Sequence, residues 1–163
     1  MKSLAVPWDA AADGRQSAAA RDLCRGVSRL LLAHGFAPLA EVTLASGRRA
    51  DVIGLSDRAE IWIVEIKSSL EDFRVDQKWP EYRAFCDRFF FAVAPTFPRE
   101  VLPADTGLMV ADRYGGEIVR AAPEHRLAGA RRRVLTLRLA RTAALRLQGA
   151  LDPERIAHAL PDG

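Results

Sequence analysis

One seven-residue run constrains this chain more than any other: Ile61-Trp62-Ile63-Val64-Glu65-Ile66-Lys67. Side chains of a strand alternate between faces, so Ile61, Ile63, Glu65 and Lys67 share one face and Trp62, Val64 and Ile66 the other. Both faces are apolar over the first residues, which marks a central strand covered on each side. A carboxylate and an ammonium then appear together at one end of a face that should be buried. Burying charge is costly unless it is paired or binds a metal.

The flanking sequence supplies neighbours for that strand. Strands are expected at about Ala37–Leu44 and Arg48–Leu55, with a third over Glu60–Lys67; Ser46-Gly47 and Ser56-Asp57-Arg58 separate them as turns. Before them, Ala19, Leu23, Val27, Leu30 and Leu31 recur at helical spacing between Arg15 and His34, and Gly35 ends the helix. After them come a helix over Asp76–Cys86, a buried strand at Arg88–Ala94, a short helix at Pro98–Leu102 and a strand at Gly107–Ala111. A Gly115-Gly116 turn leads into a strand at Glu117–Ala121, and a last helix runs from about Leu127 to Ala150 with an apolar face including Leu135, Leu139, Leu147 and Leu151. One domain over residues 15–150 is expected, with a loosely attached segment 1–14 and a tail 151–163.

Hairpin geometry then places acids together. If the second turn centres near Arg58, residues whose numbers total 116 lie opposite and Asp51 faces Glu65. If the first centres near Ser46, the total is 92 and Glu41 faces Asp51. Cross-strand partners have Cβ atoms roughly 4.5–5.5 Å apart, and like charges directly opposite destabilise a sheet, so three carboxylates in a row ask for a cation. A hard divalent ion, Mg2+ or Mn2+, suits oxygen ligands without His or Cys. A slip of one residue in either turn removes the alignment. The competing readings are ordinary ones: a Glu65–Lys67 ion pair at a strand end, Asp51 capping a turn or paired with Arg48 or Arg49, Glu41 facing solvent, and Gln77 as a helix-surface amide. Trp62, Trp79 and the Phe89-Phe90-Phe91 run read as core.

Charge adds a second theme. Residues 124–163 carry 8 basic and 4 acidic side chains against 16 and 17 in residues 1–123, and Arg126 through Arg146 contains seven arginines and no acid. Such a run could track phosphates or an acidic partner, or be a solvated helix face. Only Lys2, Lys67 and Lys78 are lysines, beside 21 arginines, which singles out Lys67. Cys24 and Cys86 read as reduced core thiols. The apolar runs fall far short of the ~20 residues of a membrane span. Met1–Asp9 lacks the apolar stretch of a secretory signal, so a cytoplasmic protein with no membrane partner is expected.

Asp51, thirteen intervening residues, then Glu65-Ile66-Lys67 resembles the PD-(D/E)xK nuclease superfamily, although Arg48-Arg49-Ala50-Asp51 lacks the proline that names the motif. The Ala50-Asp51-Val52, Ile63-to-Ser68 and Asp76-to-Tyr82 segments more narrowly resemble the MmcB family of bacterial DNA repair proteins, over roughly residues 15–150. The resemblance implies an α/β (α+β) fold: a restriction-endonuclease-like core of helix, three strands, helix and strand, its mixed sheet flanked by helices, with a basic C-terminal helix. It implies a divalent-metal-dependent deoxyribonuclease acting in repair. Asp51, Glu65, Lys67 and Gln77, with Tyr82 nearby, would be catalytic or supporting. Asp51, Glu65, the Ile66 carbonyl and Glu41 would hold Mg2+ or Mn2+. Arg48, Arg49, Lys78, Arg131, Arg132, Arg133 and Arg138 would contact DNA. A non-catalytic nucleic-acid-binding or adaptor module that keeps the fold is the alternative; a homodimer and DNA repair protein partners stay open.

Overall fold

The structure, a computed structural model, describes residues 17–156. The expected segment 1–14 and most of the tail lie outside them. Helix α1 (Ala18–Ala33) is capped by Ser17, whose Oγ accepts from the Ala20 amide, and ends at His34 before Gly35 at φ 80°. Strands β1 (Phe36–Thr43), β2 (Arg49–Ser56) and β3 (Ile61–Lys67) form an antiparallel meander. Helix α2 (Leu70–Val75) and a 3-10 segment, Trp79–Phe85, cross over to β4 (Arg88–Val93), which lies parallel to β3. Strand β5 (Gly107–Ala111) continues parallel to β4, and β6 (Gly116–Arg120) pairs with it antiparallel. Helices α3 (Gly129–Leu151) and α4 (Pro153–Ile156) finish the described chain. The six strands follow chain order in one mixed sheet flanked by helices, the architecture expected of a restriction-endonuclease-like core.

The sheet's two faces bury separate clusters. On one, α1 places Leu23, Val27 and Leu31 against Val52, Val64, Phe90 and Ala92. On the other, Phe73, Trp79, Tyr82, Leu135 and Leu139 cover Ile53, Ile61, Ile63, Phe89 and Phe91. Strand β3 is central, as its doubly apolar sequence requires, and the phenylalanine run and Trp79 are core. Cys24 and Cys86 are buried free thiols, each pushed up to about 12 chiefly by burial.

The register matches the hairpin derivation. Val52 pairs with Val64 and Ile53 with Ile63, a total of 116; Ala40 pairs with Val52 and Val42 with Ala50, a total of 92. Glu41, between those last two pairs and not itself in ladder register with Asp51, has φ 51°, a left-handed conformation uncommon for a residue with a side chain. Across it the facing changes: Leu39 and Val42 pack in one cluster and Ala40 in the other.

Three sequence expectations are corrected. The helix expected over Asp76–Cys86 is a 3-10 segment starting at Trp79, with Pro80 in its first turn, and an α-helix precedes it at Leu70–Val75. That helix is too short to show periodicity, buries only Phe73, and is held by Ser69 accepting from the Asp72 amide. The β5–β6 turn is built on Asp112, whose carboxylate accepts from the Tyr114 and Gly115 amides, so Gly116 is already strand. Leu147 and Leu151 are exposed; only Leu135 and Leu139 of α3 are fully buried.

Candidate functional site

Asp51 sits one step past the last β2–β3 pair, Val52 with Val64, where the ladder opens. Its Oδ2 there accepts the Ile66 amide at 2.8 Å, replacing the missing strand partner. Glu65 and Lys67 extend from the end of β3 and are only 5% and 2% exposed. The Lys67 ammonium lies 3.7 Å from Glu65 Oε1 and donates to Asp76 Oδ2 at 3.1 Å. Asp76 caps the C-terminus of α2 and also receives Arg48 at 3.1 Å and the Lys78 amide at 3.2 Å. A chain of alternating charge therefore runs from Glu65 through Lys67 and Asp76 to Arg48.

These groups open into a cavity lined by Asp51, Glu65, Ile66, Lys67, Asp72 and Asp76, with Ser17 and Ala20 of α1 forming part of its wall. Burial first, and the Asp51 charge second, push the Glu65 carboxyl up to about 8, against the pull of Lys67. Burial likewise pushes Asp51 up to about 6, although the Ile66 amide and Lys67 oppose it. Burial would lower Lys67, but the Glu65 charge and the Asp76 bond outweigh it and hold the ammonium above its ordinary value. Burial would raise Asp76, yet the Lys67 bond and charge keep it below the usual carboxylate range. The site thus holds one firm ion pair, Lys67 with Asp76, and two carboxyls that burial holds above the usual carboxylate range.

Does this donor set suit a divalent cation? Glu65 Oε2 is buried and has no hydrogen-bond partner. An unpaired buried carboxylate oxygen is expensive to maintain, and it belongs to the residue expected to ligate. Beside it stand the Asp51 carboxylate and the Ile66 backbone, all hard oxygen donors of the kind Mg2+ and Mn2+ take. The residues fit the ion. Among the described residues, no three His, Cys, Asp and Glu side chains group as a ready-made cage, so waters or phosphate oxygens would complete the coordination.

The other expected residues are placed as follows. Glu41 lies between the Ala40–Val52 and Val42–Ala50 pairs, at the level of Asp51, but does not line the cavity; its carboxylate lies 3.7 Å from the Arg49 guanidinium. Gln77 is exposed and turns back on α2, donating to the Phe73 carbonyl at 2.7 Å, so it too is outside the cavity. Tyr82 is buried beneath the site, donates to the Arg49 carbonyl at 2.9 Å, and carries the Arg48 guanidinium over its ring at 5.0 Å. It fixes the stretch leading into Asp51. Lys78 is exposed beside Asp76.

The α3 arginines are largely committed to the domain. Arg131 donates to the Ala84 carbonyl and Arg138 to that of Thr43. Arg132 makes a two-pronged pair with Asp87, both bonds 2.7 Å, and Asp87 also accepts the Ile61 and Leu127 amides. Arg146 reaches the Ala40 and Glu41 carbonyls. Arg133 is exposed. Sequence reasoning missed Asp72 and Asp76 as site residues, because both depend on the short helix it did not find.

Among known proteins, a family model described as DNA repair protein MmcB-like matches residues 8–154. A solved structure, described as a protein of unknown function from Silicibacter pomeroyi, is 51% identical and covers 85% of this chain and 95% of that chain, with a TM-score of 0.82. No curated protein matches the chain. Among the described residues, no helix is long and apolar enough to cross a membrane.

Proposed function

Because the chain belongs to the MmcB-like family of DNA repair proteins, we propose that the cavity around Asp51, Glu65 and Lys67 is the phosphodiester-cleaving site of a divalent-metal-dependent deoxyribonuclease of the PD-(D/E)xK type. One observation carries the reading: Glu65 Oε2, buried without a hydrogen-bond partner, beside a second carboxylate and a fully charged lysine.

Asp51 and Glu65, with the Ile66 carbonyl, are the groups that would hold Mg2+ or Mn2+. Such an ion supplies polarisation of a phosphoryl oxygen and acidification of a water. The chain's own groups do the rest. Asp51 is oriented by the Ile66 amide, so its second oxygen is left for the site. Lys67, held charged by Asp76, presents a compact ammonium that orients the attacking water and screens the phosphate, a role a planar guanidinium fills less well. Arg48, Arg49 and Lys78 adjoin the cluster and offer positive charge to flanking phosphates.

The test is incubation of purified protein with single-stranded, branched and damaged DNA plus Mn2+, with EDTA controls. Cleavage should require the metal, vanish in Asp51→Ala and Glu65→Ala proteins that remain folded, and fall in Lys67→Ala. Lack of any metal-dependent cleavage by the wild type would remove the enzymatic reading. A second reading, a non-catalytic DNA-binding module, draws on the Lys67–Asp76 bond, which also serves as an ordinary strand-end ion pair. It expects DNA binding that falls steeply with salt and ignores EDTA.

A further inference from the structure

Helix α3 has two apolar faces, and the fold uses one. Leu135 and Leu139 enter the core, while Val134 and Leu137 are 60% and 63% exposed, and Leu145 and Leu151 are exposed with them. At about 100° per residue, Val134, Leu137 and Leu151 fall on a stripe facing away from the buried side, with Leu145 on its flank. Val134, Leu137, Arg141, Ala144, Gln148 and Leu151 follow one another at steps of three and four, the spacing of a coiled-coil seam. The helix cannot turn this face inward. Arg132, Arg138 and Arg146 tie its other side to Asp87, Thr43, Ala40 and Glu41.

Charge selects the occupant. The helix carries six arginines and no acid, and no acidic residue stands in its first turn. Arg131, Arg132 and Arg133 therefore add to the positive end of the helix dipole, where negative charge is favoured. Among the described residues, Arg132 is the one of the six in a salt bridge, with Asp87, while Arg146 feels the Glu41 charge. Arg133 and Arg138 border the exposed stripe and Arg141 lies within it. A second copy of this helix would set arginine against arginine. Duplex DNA would meet the arginines but leave the leucines uncovered. A lipid surface would be met without the aromatic side chains that usually anchor at an interface, since α3 contains none.

We infer that the exposed face of α3 docks an amphipathic helix of a partner protein, apolar along its seam, acidic on its flanks, and bearing a carboxylate opposite Arg141. This stands independently of the cleavage chemistry at Asp51 and Glu65.

The test uses the full chain and a 21-residue fluorescent helical peptide with leucine at its seam, one seam glutamate set to meet Arg141, and glutamate on both flanks. A control peptide replaces every glutamate by lysine. Binding by fluorescence anisotropy at 150 mM salt should be at least tenfold tighter for the acidic peptide. It should weaken at least tenfold in Leu137→Glu and in Arg141→Glu, with metal-dependent cleavage, where present, unchanged. Absence of binding, or equal binding of both peptides, overturns the inference. So does a wild-type dimer dissociated by Leu137→Glu, which gives the face to a second copy. Binding to phosphatidylglycerol vesicles, lost in that variant, would give it to lipid. Thermal destabilisation of Leu137→Glu by more than a few degrees would give it to another segment of this chain.

Discussion

The Lys67 ammonium donates to Asp76 at 3.1 Å, closer than its 3.7 Å approach to Glu65 on its own strand. The bond joins the end of β3 to the C-terminal cap of α2, and Arg48 holds the other Asp76 oxygen. Lysine charge and position at the cavity thus depend on a residue outside the Asp…Glu-x-Lys pattern.

Replacing Asp76 by asparagine keeps the shape and removes that charge. The variant should lose about 1–3 kcal/mol of stability, because a buried ammonium loses its ion partner. Cleavage should fall by about tenfold or more while Mn2+ affinity changes less than about threefold, since Asp51 and Glu65 are untouched. A loss of metal affinity as large as the loss of rate would instead make Asp76 part of the cation site.

The raised Glu65 carboxyl gives the metal-free protein a specific pH dependence. As pH climbs from about 4.5 to about 8, the unfolded chain releases the Glu65 proton first and the folded chain keeps it. The unfolded state binds fewer protons across that window, so stability falls as pH rises. Asp51 acts in the same direction between about 3.8 and 6. Melting temperature should therefore decline from pH 5 to pH 8. In Glu65→Gln the decline above pH 6 should largely disappear, leaving the variant roughly 5 °C more stable than wild type at pH 8. A flat wild-type profile would contradict the burial of that carboxyl.

The same proton should appear in metal binding. At pH 7 Glu65 is mostly protonated and Asp51 mostly ionised. Binding of Mn2+ should thus release close to one proton, with affinity rising about tenfold between pH 6 and 7 and levelling above pH 8. Calorimetry in buffers of different ionisation enthalpy measures the release directly. Proton-free binding would place the ion elsewhere.

How far this site can be read from sequence follows from which contacts set it. The β1–β2–β3 register was legible only on the condition that the turns centre near Ser46 and Arg58, since a one-residue slip flips every side chain; Val52 opposite Val64 and Ala40 opposite Val52 meet that condition. The position of Glu41 did not follow from register. Its left-handed backbone changes the facing of β1 locally, and alternation cannot anticipate a reversed residue. Gln77 and Asp76 were separated by a helix boundary. The capping interactions that end α2 at Val75 leave Asp76 facing Lys67 and Gln77 facing solvent, an outcome decided by one residue of helix length. The arginine run was legible as charge, but its bonds to Asp87, Ala84 and Thr43 depend on how α3 crosses the sheet.

The arginines and lysines should separate by what they do when removed. Arg132→Ala leaves Asp87, 3% exposed, without its guanidinium and should cost about 3–5 kcal/mol. Lys78→Ala, at an exposed position, should leave stability within about 0.5 kcal/mol while lowering DNA affinity a few-fold and reducing the salt slope by about one. Denaturant melts and DNA titrations at several salt concentrations check both. An unchanged slope in Lys78→Ala would take that residue off the DNA path.

Gly26, inside α1, poses two principles against each other. Alanine is the better helix former by about 1 kcal/mol, so propensity alone predicts that Gly26→Ala stabilises. But α1 passes the β5–β6 turn so closely that an added Cβ would stand 1.8 Å from the Asp112 carbonyl oxygen and 2.7 Å from that of Gly115. Both are backbone atoms, and the Asp112 amide is already bonded to the Gly115 carbonyl, so the turn cannot yield by a side-chain rotation. Overpacking at such a contact costs more than propensity returns. Gly26→Ala should therefore destabilise by at least about 2 kcal/mol in denaturant melts. Because α1 carries Ser17 and Ala20 on the cavity wall, any shift that relieves the clash should also alter Mn2+ binding. Stabilisation by the substitution would mean that α1 rides farther from the turn than its contacts show.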